Sequence, residues 1–186
     1  MWRVCGLAGI YHYQNELQID EAVLRRMTGV LAHRGPDDDG FYVVGRIGLG
    51  HRRLSIIDVA GGRQPIFNED QSIAIVFNGE IYNYRELRRE LVAAGRKFRT
   101  QSDTEVLINA VAEWGEAALQ KLRGMYAFAL WDDERKELWL ARDPFGIKPL
   151  YYTDAGKTIW FASQARALAD CAPVNTNRRP AGLVGF

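Results

Sequence analysis

Cys5 heads the segment Cys5-Gly6-Leu7-Ala8-Gly9-Ile10, a run of small and apolar residues with a thiol at its front. A cysteine that begins a mature chain carries nucleophile and base on one residue, because its free α-amine can take the thiol proton. Met1-Trp2-Arg3-Val4 stands ahead of Cys5. While those residues remain attached, the amine is an amide and that base is missing. The plainer reading of a lone cysteine is a small buried hydrophobe. That reading suits Cys171, which falls in what reads as an irregular tail.

Three further sites could do chemistry. Asn78-Gly79 follows the apolar run 73–77. The pair is either a hairpin turn or two donors at a strand end, an Asn amide beside a Gly N–H, as an oxyanion hole requires. Glu80-Ile81-Tyr82-Asn83 leads on toward a helix cap instead of a returning strand, which favours the second reading. Asp103 sits in the first turn of a predicted helix, where it either complements the helix dipole or pairs with a substrate ammonium. Arg53, at the end of a predicted strand, is either solvated surface or a fork for a carboxylate. Together Arg53, Glu80 and Asp103 could hold both charged groups of an α-amino acid.

The elements that must position these residues can be read from periodicity and punctuation. Asp20 caps a helix over about 21–32, with Val23, Met27, Val30 and Leu31 on one face. His33-Arg34-Gly35-Pro36-Asp37 ends it. Residues 41–44 and 47–51 form a hairpin around Gly45-Arg46. The run 73–77 is a buried strand. Asn83-Tyr84-Arg85-Glu86 and Ser102-Asp103-Thr104-Glu105 both have capping-box spacing ahead of helical patterns. Residues 125–131, 137–142 and 158–162 read as three more strands. Strand clusters separated by helices argue an α+β fold with mostly antiparallel sheets.

The 186 residues fit one domain, and the net charge of +1 gives no electrostatic case for nucleic acid or an anionic membrane. No apolar run approaches the roughly 18 residues of a spanning helix. Two cysteines are too few for a disulfide framework, so the expected compartment is cytoplasmic, with both thiols reduced. There is no GxxxxGK[ST] or GxGxxG phosphate cradle. His12, His33 and His51 lack metal-ligand spacing, so no metal site is expected and each reads as structural.

Seven blocks occur in order: Cys5-Gly6-Leu7-Ala8-Gly9-Ile10, His33-Arg34-Gly35-Pro36-Asp37, Arg53-Leu54-Ser55-Ile56-Ile57-Asp58, Asn78-Gly79-Glu80-Ile81-Tyr82-Asn83, Ser102-Asp103-Thr104-Glu105, Arg142-Asp143-Pro144-Phe145-Gly146-Ile147-Lys148-Pro149-Leu150-Tyr151-Tyr152 and Phe161-Ala162-Ser163. Their order and spacing resemble the class II glutamine amidotransferase domain of glutamine-dependent asparagine synthetases. The resemblance implies a four-layer αββα sandwich of the N-terminal-nucleophile hydrolase type. It implies Cys5 as nucleophile, with Asn78 and Gly79 as the oxyanion hole. Glutamine would be bound by Arg53, Leu54, Ile56, Ile57, Asn78, Gly79, Glu80 and Asp103. It further implies that ammonia passes to a C-terminal synthetase domain, where ATP and Mg would serve the amidation of aspartate; no cofactor is expected in the present domain. A homodimer is compatible with the resemblance. On this basis residues 1–4 are an extension, 5–172 the glutaminase domain and 173–186 the start of a linker.

The chain departs from the family at its start, where members usually begin Met-Cys. Three routes follow: Val4 as the true start from an alternative initiator codon, a propeptide cleaved before Cys5, or a retained extension that blocks the site. Gln164-Ala165 also stands where the family carries an acidic residue. Two other functions stay open: a glutaminase domain serving another acceptor, such as a sugar or cell-envelope precursor, and a catalytically silent assembly domain.

Overall fold

Nine strands and five helices follow one another in the computed structural model, which describes residues 4–14, 16–54 and 63–174. The expectations for Ile56 and Ile57, and for Met1–Arg3, fall outside the described residues. One sheet has the order β2-β3-β1-β9-β8, from β1 (Gly6–His12), β2 (Asp38–Val44), β3 (Ile47–Arg53), β8 (Tyr151–Asp154) and β9 (Thr158–Ala162). The other has the order β4-β5-β6-β7, from β4 (Ile66–Phe67), β5 (Ile73–Ile81), β6 (Gly124–Asp132) and β7 (Glu137–Arg142). Every pairing is antiparallel.

Alternation along the strands sorts the side chains into three apolar layers. Leu7, Leu49, Ala74, Val76, Ala129, Trp131 and Phe161 meet between the two sheets. Ala8 and Ile10 face the other way, against α1 (Glu21–Val30) and α5 (Ala165–Cys171). Ile75, Phe77, Ile81, Phe128 and Leu130 face α2 (Tyr84–Ala93) and α3 (Asp103–Trp114), with Ala118 of α4 (Ala117–Lys121) beside them. The result is helix, sheet, sheet, helix. Within the first sheet, the Phe161 ring of β9 lies over the bare backbone of β1 at Gly9. A Cβ on Gly9 would lie 2.1 Å from Phe161 Cζ and 2.7 Å from the Gly48 carbonyl oxygen.

The predicted helices form, with local differences. Asp20 caps α1, accepting from the N–H groups of Ala22 (2.9 Å) and Val23 (3.2 Å). The buried stripe is Leu24, Met27, Thr28 and Leu31, with Val23 and Val30 only half-buried. The face is thus rotated toward Leu24, because the close sheet leaves room for Thr28, whose hydroxyl bonds back to the Leu24 carbonyl at 2.8 Å. Neither capping box closes reciprocally. Asn83 instead joins the chain after α4, donating to Lys121 O (2.9 Å) and accepting from Arg123 N (3.0 Å). Ser102 does cap α3 through the Thr104 N–H (3.1 Å). Glu105 turns to the preceding loop, accepting from the N–H groups of Arg99 and Thr100, each at 2.7 Å. Cys171 ends α5 and is not in an irregular tail.

Candidate active site

Continuing the alternation of β1, Cys5 falls on the side of Leu7, between the sheets. On β3 the same rule turns His51 and Arg53 inward after Ile47 and Leu49, and on β5 it turns Asn78 and Glu80 inward after Ala74 and Val76. One end of the seam between the sheets therefore collects a thiol and a guanidinium from one sheet, and an amide and a carboxylate from the other. Asp103 is added from the N-terminus of α3. All five line one cavity of about 720 Å³, together with Leu54 and Gly79.

The thiol is held by its neighbour across the sheet. Leu54 N–H donates to Cys5 Sγ at 3.3 Å, and Sγ lies 3.6 Å from the Leu54 carbonyl oxygen. Burial pushes the Cys5 thiol above its ordinary value; the Leu54 N–H and the charges of Arg53 and Lys148 pull against that, while Asp103 adds to it. Just beyond Cys5 the strand is pinned by Ser163, whose hydroxyl accepts from Leu7 N–H at 3.0 Å while its own N–H reaches Leu7 O at 2.8 Å. Val4 is joined to the Cys5 nitrogen and donates its N–H to Arg34 O at 3.2 Å. Arg34 Nε in turn donates to Cys5 O at 3.1 Å.

Asn78 and Gly79 do not end the strand, as the sequence suggested; they lie inside β5, which pairs with β6 as far as Ile81 opposite Gly124. This removes the hairpin reading. The donors survive because β4 is short. Backbone groups of the even residues of β5 face β6: Asp133 N–H bonds Ser72 O before the ladder and Tyr82 N–H bonds Arg123 O after it. Odd residues face the other edge, where β4 reaches only as far as Ile75. There the Phe77 N–H is taken by Gln64 Oε1 (2.6 Å) and the Ile81 N–H by Asp103 Oδ2 (3.0 Å). Gly79 N–H lies between them on the cavity wall. The Asn78 side chain is buried, and its Nδ2 has no hydrogen-bond partner among the described residues. A buried unpaired amide costs about 1–3 kcal/mol, a cost explained if a ligand oxygen belongs there.

Asp103 is buried, and burial raises its carboxyl above the usual range, against the N–H bonds from Ile81 and Thr104; Glu80 adds to the rise. The capping role goes to Ser102, so Asp103 is free to tie α3 to β5 and to face the cavity. Arg53 is buried at the end of β3. Of the histidines, His51 spans the two sheets: Nε2 lies 3.0 Å from Phe77 O. A carbonyl only accepts, so His51 carries its proton on Nε2. Burial lowers its pKa to about 4. His12 contacts Thr158 Oγ1 (2.8 Å) and His33 contacts Val30 O (3.0 Å). Among the described residues no cluster of three or more His, Cys, Asp or Glu could hold a metal ion, and no helix is long and apolar enough to cross a membrane.

Sequence reasoning missed Arg34, Gln64, Asp143, Lys148 and Ser163. All but Gln64 lie in the seven blocks, where for Arg34, Asp143 and Lys148 a charged residue beside Gly or Pro was the available signal. Gln64 acts from a loop and left no signal.

The sequence profile of the glutamine amidotransferase domain family matches residues 4–185. The chain belongs to this family. Among its relatives are asparagine synthetase [glutamine-hydrolyzing] 1 of Bacillus subtilis, 48% identical over 167 residues, and asparagine synthetase [glutamine-hydrolyzing] 3 of Arabidopsis thaliana, 39% identical over 168 residues. The alignments cover 89% and 90% of this chain but 26% and 29% of those proteins. The amidotransferase chain thus spans about a quarter of the length of the curated relatives it matches. Its fold matches the glutamine phosphoribosylpyrophosphate amidotransferase of B. subtilis complexed with ADP and GMP, with a TM-score of 0.73 at 24% identity, over 89% of this chain and 43% of that one. The allosteric regulatory enzyme of purine biosynthesis gives a TM-score of 0.72 at 25% identity, over 89% of this chain and 43% of that one. The four-layer αββα architecture is that of the N-terminal-nucleophile hydrolases.

Proposed function

We propose that this amidotransferase domain hydrolyses glutamine at Cys5 and supplies the ammonia for amidation of aspartate by a synthetase domain of a longer parent, with ATP and Mg used there and not here. Residues 5–172 form the glutaminase unit and 173–186 begin the linker, in a cytoplasmic protein. The observation that carries the reading is the buried, unpartnered Asn78 amide beside the Gly79 N–H, opposite the Cys5 thiol.

In this reading Arg53 takes the substrate carboxylate, and Glu80 with Asp103 the ammonium. Those contacts bring the side-chain amide over Cys5. The thiolate adds to the amide carbon, and the new oxyanion is received by Asn78 Nδ2 and Gly79 N–H. The thiol proton passes by way of the Cys5 α-amine to the departing nitrogen. The C–N bond breaks, ammonia leaves, and a γ-glutamyl thioester remains. Water then adds to the thioester, the C–S bond breaks, and glutamate departs with the thiol reprotonated. The amine can do this only once the Val4–Cys5 bond is cut or absent.

The intact mass of protein made from its native gene, before and after a glutamine-analogue electrophile, tests the reading. A chain beginning at Cys5 that gains one label supports it. A chain that keeps Val4 and takes no label sinks it in favour of the silent assembly domain, a reading that the Val4 N–H bond to Arg34 O specifically favours. Asparagine formation by the whole parent, with aspartate replaced by other acceptors, tests the acceptor.

A further inference from the structure

Lys148 lies in the loop between β7 and β8, and its backbone is clamped from both sides. Asp143, itself buried, accepts four backbone N–H groups: Tyr126 (3.2 Å), Phe145 (3.1 Å), Ile147 (2.9 Å) and Lys148 (3.0 Å). These hydrogen bonds outweigh the burial that would raise the Asp143 carboxyl, and they hold it below its ordinary range. Arg142 Nε donates to the Lys148 carbonyl at 2.8 Å, and its Nη2 donates to Gly146 O. With both peptide groups fixed, the side chain points into the cavity that holds Cys5, and the residue is only 9% exposed.

A lysine this buried is normally paired. No hydrogen bond or ion pair of the Lys148 ammonium is found among the described residues; the nine ion pairs found there all involve other side chains. Five charged groups share the cavity with the thiol. Arg34 follows α1, Arg53 ends β3, Glu80 is on β5, Asp103 opens α3, and Lys148 comes from the β7–β8 loop. In the proposed reaction Arg53 is engaged by the substrate carboxylate, and Glu80 with Asp103 by its ammonium. Arg34 already spends its Nε on the Cys5 carbonyl. Among the described residues, Lys148 is the cavity cation whose charged group has neither a hydrogen bond nor a role in holding the substrate.

We propose, on the reading that Cys5 is the nucleophile, that Lys148 is a positioning residue for the reaction: it is the counter-cation that stabilises the Cys5 thiolate as it forms while Arg53 is occupied by substrate. The electrostatics agree in both directions. Burial and Arg34 push the Lys148 ammonium down while Cys5 and Glu80 support it, and Lys148 in turn pulls the Cys5 thiol down.

The test is the pH profile of Cys5 alkylation by iodoacetamide, read by peptide mass so that Cys171 is scored separately. It is run on wild type, Lys148→Met and Lys148→Arg. Removing one cation that shares the cavity with the thiolate should slow alkylation at pH 7.5 roughly three- to tenfold. The rate should recover at high pH, and Lys148→Arg should retain the wild-type profile. Glutamine KM should stay within about twofold while kcat falls, since the charge serves the sulfur and not substrate binding. A Lys148→Met profile that superimposes on wild type overturns the proposal. So does a loss that is equal at every pH, or one that Lys148→Arg shares. Should the methionine variant not fold, Lys148→Gln carries the same comparison. Failure of the nucleophile reading is distinguishable, because wild type itself would then release no ammonia from glutamine.

Discussion

Among the groups through which acidification should weaken this domain, His51 is the most deeply buried histidine. The imidazole is 1% exposed, and burial lowers its pKa to about 4; the bond to Phe77 O works against that and the charge of Arg53 with it. Unfolded, it would take a proton near pH 6.5. Above that pH both states are neutral at this site and it adds no pH dependence. As the pH falls below 6.5 the unfolded chain binds a proton that the folded chain refuses, so stability declines by about 1.4 kcal/mol per pH unit until the folded imidazole also titrates. Between pH 6.5 and 4 the loss approaches about 3 kcal/mol, a large share of the roughly 5–15 kcal/mol that holds a domain together. Equilibrium urea unfolding, followed by tryptophan fluorescence between pH 7.5 and 4, reads this directly. His51→Gln keeps a donor for Phe77 O without the titration. The carboxylates and His12 titrate alike in both proteins, so the difference between the two stability curves isolates His51. Parallel curves would refute the reasoning.

Other perturbations bear on the site itself. Asn78→Ala should lower kcat for glutamine hydrolysis by roughly 10²–10³ with little change in KM, because the lost donor acts on charge that appears only in the transition state. Steady-state ammonia release measures both. Gly79→Ala should destabilise by about 1–3 kcal/mol and abolish activity. Its Cβ would meet Met125 O at 2.3 Å and Tyr126 Cα at 2.7 Å, both backbone atoms of the paired strand; thermal unfolding with the same assay checks this. Asp103→Asn should raise glutamine KM at least tenfold with the fold retained, since the Ile81 N–H can still find the amide oxygen; KM and the circular dichroism spectrum together decide it.

The architecture was legible wherever period and punctuation agreed. The α1 cap at Asp20, the hairpin at Gly45-Arg46 and the long strands all follow from side-chain spacing. The short elements were not legible. β4 has only two residues and β8 only four, so neither can display an alternation, and α5 is two turns built around Ala and Leu. The site was legible as chemistry but not as geometry. Asn78 and Gly79 stood out as donors, yet what leaves Gly79 uncovered is the shortness of β4, a tertiary fact. The capping boxes misled because Glu105 and Asn83 found better partners in loops that sequence proximity does not reveal.

Cys5 and Arg53 belong to one sheet while Asn78 and Glu80 belong to the other. The distance from sulfur to oxyanion donors is therefore a vernier reading between two bodies, set by how the sheets index on each other along the buried seam. Ala74 and Val76, facing Leu7 and Leu49, are the teeth of that index. A methyl group added or removed at these places changes no functional group, yet a slip of about 1 Å between the sheets is enough to cost catalysis roughly a hundredfold. Turnover in this domain is thus a finer gauge of core packing than its melting temperature.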